Sequence, residues 1–159
     1  AKRIQHVTSL EPMERHGDAA GLIQCSSSSN EIKRIQMEIE QFLKRGNASL
    51  GIITKTNQAA KVLYDQLAAT CPCHIHLITP ESTNFINGVS ITSIQMSKGL
   101  EFDEVIIPEA DRKNYTTAYD RNLLYIACTR AMHRLTLMFV GEMTELIGKR
   151  DDPVMLTDN

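Results

Sequence analysis

Lys98 and Gly99, within "SKGLEFDEVII" (residues 97–107), are residues of the type that meet phosphate. Gly99 permits a positive φ or a close backbone approach, and a free N–H beside Lys98 suits a phosphate or a carboxylate. Glu101 is an acceptor suited to a ribose hydroxyl. Yet the phosphate loop G-x-x-x-x-G-K-[ST] occurs nowhere in the sequence. Taken alone, the run is accounted for by a turn with solvated charges. A second group of residues lies in "DRNLLYIACTRAMHRL" (120–135), where Arg130 stands near the end of an apolar helical pattern. An arginine there offsets the helix dipole. The same guanidinium can also stabilise charge on a transferring phosphoryl group. The residues alone leave both roles open.

Cys71, Cys73, His74 and His76 form a compact "CPCHIH". Its C-x-C and H-x-H spacings lack the loop lengths of zinc modules, so we expect a strand edge and no metal. Cys25 and Cys128 sit among apolar residues and are expected in the core. The four cysteines make no disulfide framework. His6 and His16 are expected to be solvated, and His133 to be a cation at a helix end. "KRGN" (44–47) is expected to be a solvated helix end, and Tyr115 and Tyr119 to pack on the surface, with base stacking as the alternative.

These residues need a scaffold. The sequence of 159 residues has the size of one domain, and its 42% apolar content is enough for a core. Net charge is −2, which leaves the distribution of basic residues open. No apolar run reaches the roughly 18 residues that span a bilayer. The first 20 residues are polar and lack the apolar centre of a signal peptide, so a cytoplasmic, membrane-free protein is expected.

Residues 1–20 read as a polar leading segment, 21–150 as one domain and 151–159 as a polar tail. Continuous apolar runs at 21–27, 49–56, 74–79, 89–96, 104–110 and 134–141 predict strands. Helices are predicted between them. Residues 28–46 carry Ile32, Ile35, Ile39, Phe42 and Leu43 at helical spacing, capped by Ser28 or Ser29 and ended by Gly46. Residues 57–70 carry Ala60, Val62, Leu63, Leu67 and Ala68 as a stripe. Residues 116–132 open on the T-x-x-D start Thr117 to Asp120, and 142–150 read as a short last helix. Alternation of this kind predicts an α/β fold: a mainly parallel sheet of five to seven strands with helices on both faces. Ligands of such sheets sit at the carboxyl ends of strands, so the segments 95–103 and 109–117 are where chemistry is expected.

"SITSIQMSKGLEFDEVIIPEA" and "RNLLYIACTRAMHRLTLMF", in this order and about 25 residues apart, resemble motifs V and VI of the UvrD/Rep/PcrA helicases of superfamily 1. "LGIITKTNQAAKVLYDQL" (50–67) resembles the segment of the same domain with a Lys/Arg-Thr-Asn run. The variant form is similar to the HelD branch, whose members associate with RNA polymerase. The resemblance implies the second RecA-like half of an ATP- and Mg²⁺-dependent motor. The phosphate loop and the Mg²⁺ ligands would then lie in an N-terminal RecA-like half, and the isolated chain should not hydrolyse ATP. It further implies Arg130 as an arginine finger, and Lys98, Gly99 and Glu101 at the nucleotide. Tyr125 and Thr129 would couple the halves. Lys55, Thr56, Asn57, Ser93 and Gln95 would line a track for single-stranded DNA. The alternative is an RNA polymerase-remodelling factor in which the domain acts as an interaction and coupling module. Gln95 stands where the family has His, and Ser93 where it has Thr. Only about 20 residues, 70–89, stand where the family inserts a large helical subdomain.

Overall fold

The computed structural model describes residues 20–82, 87–145 and 155–157. Seven parallel strands form one sheet in the order β3-β4-β2-β5-β6-β1-β7. They are β1 (Gly21–Cys25), β2 (Ser49–Thr54), β3 (Ile75–Leu77), β4 (Gly88–Ser93), β5 (Phe102–Ile107), β6 (Ala131–Val140) and β7 (Met155–Thr157). Among the described residues three helices connect them: α1 (Ser28–Arg45), α2 (Asn57–Ala68) and α3 (Ala118–Cys128).

Both faces of the sheet are covered, which is why the strands read as continuous apolar runs. Successive residues of one strand enter opposite cores. Ile53, Val105, Ile107, Leu135 and Phe139 pack with Leu124, Ala127 and Cys128 of α3. Ile52, Ile106 and Met138 pack with Ile35, Ile39 and Phe42 of α1 and Leu63 and Leu67 of α2. Of the predicted stripes, Leu43 and Val62 fall at the exposed margin of their helices. Buried Glu31 and Glu38 take part of the α1 face instead. Ser27, one residue before the predicted caps, caps α1 by accepting from the Asn30 N–H, and Gly46 closes the helix at φ 86°.

The connection from β4 to β5 has no helix. Residues 94–101 cross β2 on the α3 face in a series of turns, with Met96 and Leu100 packed on that core. Gly51 makes the crossing fit. A Cβ at Gly51 would stand 2.5 Å from the Phe102 ring, so only glycine leaves room for the ring over β2.

Several local expectations give way. Residues 131 and 132, read as the end of a helix, open β6: the Phe102 N–H donates to the Arg130 carbonyl at 2.8 Å and draws the chain into the sheet. His133 is therefore an exposed strand residue, 3.9 Å from Asp103, and no helix-end cation. Tyr115 is fully buried, which excludes both surface packing and base stacking, whereas Tyr119 is 69% exposed. "KRGN" is anchored, with Arg45 Nη2 2.6 Å from Glu104 and the Asn47 amide donating to the same carboxylate at 2.8 Å. Residues 155–157, within the polar tail, pair with β1. His6, His16 and residues 146–150 of the expected last helix lie outside the described residues. Among the described residues no helix is long and apolar enough to cross a membrane.

Candidate functional site

The two segments singled out by the sequence meet in the fold. The 97–101 turn ends where β5 begins, and Arg130 stands where β6 begins. Gly99 adopts φ 84°, with open space where a side chain would be. That left-handed turn is costly for other residues. It is tied back by the Ser97 N–H to the Ser93 carbonyl and the Leu100 N–H to the Ser97 carbonyl, each 2.9 Å. Lys98, Gly99 and Glu101 are all exposed.

Arg130 is half-buried, and each nitrogen of its guanidinium makes one hydrogen bond. Nε donates to the Ile126 carbonyl at 3.2 Å, Nη1 to the Leu100 carbonyl at 3.4 Å and Nη2 to Thr129 Oγ1 at 3.1 Å. Thr129 is the C-cap of α3, and its hydroxyl donates to the Ile126 carbonyl at 2.7 Å. Arg130 thus offsets the α3 dipole and also clasps the 97–101 turn. Tyr125, one turn earlier on α3, is 39% exposed.

Arg130 and the end of the turn, Leu100 and Glu101, lie at the amino ends of β6 and β5. The segment 95–103, expected to follow the carboxyl end of a strand, begins there after β4 and ends at the amino end of β5. At its carboxyl-end start the Ser97 N–H is still bonded to the Ser93 carbonyl, and the chain reaches the amino end only as it enters β5 at Phe102.

The carboxyl edge holds the other set. β2 ends at Thr54, and Lys55, Thr56 and Asn57 lead into α2. Thr56 caps α2 by accepting from the Ala59 N–H at 3.0 Å. The Ser93 hydroxyl donates to Asn57 Oδ1 and accepts from the Met96 N–H at 3.1 Å. Ser93 is 1% exposed, so it braces Asn57 and presents nothing to solvent. Gln95, Thr56 and Asn57 are exposed. The two edges are about 20 Å apart, the length of a six-residue strand.

Lys55 does not extend freely. Its ammonium is 3.0 Å from Asp120 Oδ1, donates to the Asn114 carbonyl and lies 5.4 Å from the centre of the Tyr115 ring. Burial pushes the Asp120 carboxyl up. The Thr116 and Thr117 N–H groups and the Lys55 ammonium outweigh it and hold the carboxyl well below the usual range. The sequence marked Asp120 only as a cap residue; no local signal joins it to Lys55, 65 positions away.

A groove of about 940 Å³ opens between α1 and α2 on the same edge, lined by Ser28, Glu31, Thr56, Gln58, Pro108 and Glu109 among others. Glu31 is 5% exposed, and its carboxylate accepts the Glu109 N–H at 3.0 Å. Burial, reinforced by the charges of Glu109 and Asp111, pushes it up to about 7. Glu109 itself has φ 58°, a conformation rare for a residue with a Cβ. The sequence marked neither residue. Cys71, Cys73, His74 and His76 surround the start of β3, and the two imidazoles stack edge-on at 4.5 Å. Among the described residues no group of three or more His, Cys, Asp or Glu side chains could hold a metal ion.

Comparison with known proteins bears on this arrangement. Residues 88–138, from β4 through Arg130 into β6, match the UvrD-like helicase C-terminal domain family. The fold is similar to that of the C-terminal domain of a possible DNA helicase from Lactobacillus plantarum WCFS1. The TM-score is 0.78 and the identity 25%, over 98% of this chain and 99% of that one. It also resembles part of the arterivirus nonstructural protein 10 helicase, solved with DNA and alone. Those TM-scores are 0.54 and 0.53, at 11% and 12% identity. Each match covers 87% of this chain but only 35% and 34% of the viral protein, and shows likeness of fold alone. No curated protein matches. The segment that joins the 97–101 turn to Arg130 is thus matched by the UvrD-like helicase C-terminal domain family, within an α/β fold similar throughout to that of a helicase C-terminal domain.

Proposed function

We propose that the chain is the C-terminal motor half of an ATP-dependent DNA helicase or translocase. A first RecA-like half would supply the phosphate loop and the carboxylates that hold Mg²⁺. The observation that carries this reading is the clasp of Arg130 on the 97–101 turn, inside the segment matched by the helicase family. Turn and arginine are contiguous, with Lys98, Gly99 and Glu101 exposed and Arg130 half-buried. Lys98, Gly99 and Glu101 would face the nucleotide, with Glu101 towards the ribose. Arg130 would exchange its neutral carbonyl acceptors for a phosphate oxygen, a stronger partner for a guanidinium. Tyr125 and Thr129, on the last turn of α3, would couple that exchange to movement of the two halves.

The carboxyl edge would carry the single strand. Lys55, Thr56, Asn57 and Gln95 would contact phosphates and sugars without reading bases. Ser93 would act through Asn57. The likeness to the HelD branch adds RNA polymerase as a partner; neither the matched family nor the structural relatives' names mention one, and we do not favour that reading.

The test is Arg130→Ala in the full-length protein. Strand-stimulated ATP turnover should fall by on the order of 10³ or more, with ATP binding and folding nearly unchanged. Arg130→Lys should rescue little, because an ammonium cannot span two oxygens as the planar guanidinium does. Normal turnover with slightly reduced thermal stability would mean that Arg130 only closes α3, a role worth roughly 0.3–1 kcal/mol.

A further inference from the structure

Asp120 divides its two oxygens between two tasks. Oδ2 accepts the Thr116 and Thr117 N–H groups at 2.8 and 3.0 Å, which with the Thr117 side chain completes the capping box of α3. Oδ1 takes the Lys55 ammonium at 3.0 Å. Lys55 comes from the end of β2, beside exposed Thr56 and Asn57, and its own side chain is 29% exposed. An ammonium has three N–H groups. Asp120 and the Asn114 carbonyl use two, which leaves one for an acceptor arriving from solvent.

We infer that Asp120 is a positioning residue that holds Lys55 in place of a nucleic-acid phosphate, so that a bound strand competes with Asp120 for Lys55 and loosens the first turn of α3. The inference rests on the proposed strand role of the carboxyl edge. It goes further in naming the internal competitor and the element that senses it. α3 spans about 16 Å along its axis, and its far end is the Thr129–Arg130 clasp on the 97–101 turn. Its Lys55 tether is therefore a physical link between the two edges of the sheet. Two carboxyl-bound N–H groups remain when Lys55 leaves, so α3 would shift without unfolding.

The tests use the full-length protein and a single-stranded oligonucleotide. Asp120→Asn keeps acceptors for the two N–H groups and removes the charge that retains Lys55. It should bind the strand about 3- to 10-fold more tightly at low salt. The plot of log affinity against log salt should steepen, because the variant leaves no freed carboxylate to take up a cation when Lys55 turns to the strand. The gain should vanish in a Lys55→Gln background, as a coupled pair requires. Asp65→Asn removes the same charge from an exposed pair with Lys61 and should give no such gain. An equal gain with Lys55 absent would reduce the effect to net charge and overturn the inference. A second measurement needs no variant. Amide exchange in the first turn of α3 should quicken in the wild-type protein when the strand binds, and unchanged protection would overturn the proposal. Absence of strand binding by the wild type would overturn the functional reading, and this inference with it. Strand binding with no Lys55-dependent change would overturn the inference alone.

Discussion

Glu31 is a carboxyl buried under a loop that carries two more carboxylates, and its ionisation works against the fold. Its folded-state value of about 7 lies above the ordinary 4.5. The protonated form therefore contributes stability that is complete below about pH 4.5 and is lost as pH rises through about 7. Asp120 and Glu104 are shifted the other way, so their contributions are lost only in acid, outside that window. Glu31→Gln keeps an acceptor for the Glu109 N–H and cannot ionise. Unfolding followed across pH should show the variant close to wild type near pH 5 and more stable by about 1–3 kcal/mol at pH 8. Parallel curves for the two proteins would show that Glu31 does not titrate in this range. At this scale the sequence was partly legible. The left-handed turn at Gly99 and the placement of Arg130 followed from residue type and from the pattern around each. The partners of Lys55 and Glu31 did not, because Asp120 and Glu109 reach them only through the order of strands in the sheet. Ser93 is turned inward for a more local reason: its hydroxyl accepts the Met96 N–H of the turn that follows β4.

The crossing of β2 by residues 94–101 positions the candidate residues of that segment, and it includes one very close contact. Gly51 and Phe102 meet where a Cβ would be 2.5 Å from the ring. Gly51→Ala must push the ring, and with it the start of β5. A loss of about 1–3 kcal/mol is expected by thermal or denaturant unfolding. Combination with Phe102→Leu should recover part of it, because the two side chains share the same space. An additive pair would place the strain elsewhere. At the other end of the same face, Thr117→Ala removes one half of the α3 capping box and should cost about 1 kcal/mol. The elements themselves were largely legible, since apolar runs and helical spacing are local properties. The exception is the junction of α3 and β6. Only Thr129 and Arg130 separate them, and the hydrogen bond from Phe102 makes strand out of residues whose local pattern suits a helix. The helix-free crossing was also hidden, because its apolar residues sit in turns with no period of their own.

Among the described residues, Arg130 at the amino ends of the strands and Lys55, Thr56 and Asn57 at their carboxyl ends stand about 20 Å apart, joined by strands packed on both faces. This separation was not legible in the sequence, where the rule that ligands follow carboxyl ends placed both candidate sets together. It also bounds what the chain can do alone. At the amino edge the nucleotide would find Glu101 at the end of an exposed turn and an Arg130 with three donors already committed to Ile126, Leu100 and Thr129. The described amino edge offers no helix amino terminus and no glycine-rich nest to enclose a triphosphate, the features that supply most of the grip on its charge. Isothermal calorimetry of the 159-residue chain with a non-hydrolysable ATP analogue should therefore give a dissociation constant of about 100 µM or weaker, since each tenfold gain needs about 1.4 kcal/mol of further contact. Addition of a first RecA-like half should tighten it, and Arg130→Ala should then change affinity much less than turnover. Sub-micromolar binding by this chain alone would mean a complete nucleotide site within these residues, and would overturn the division of the motor into two halves.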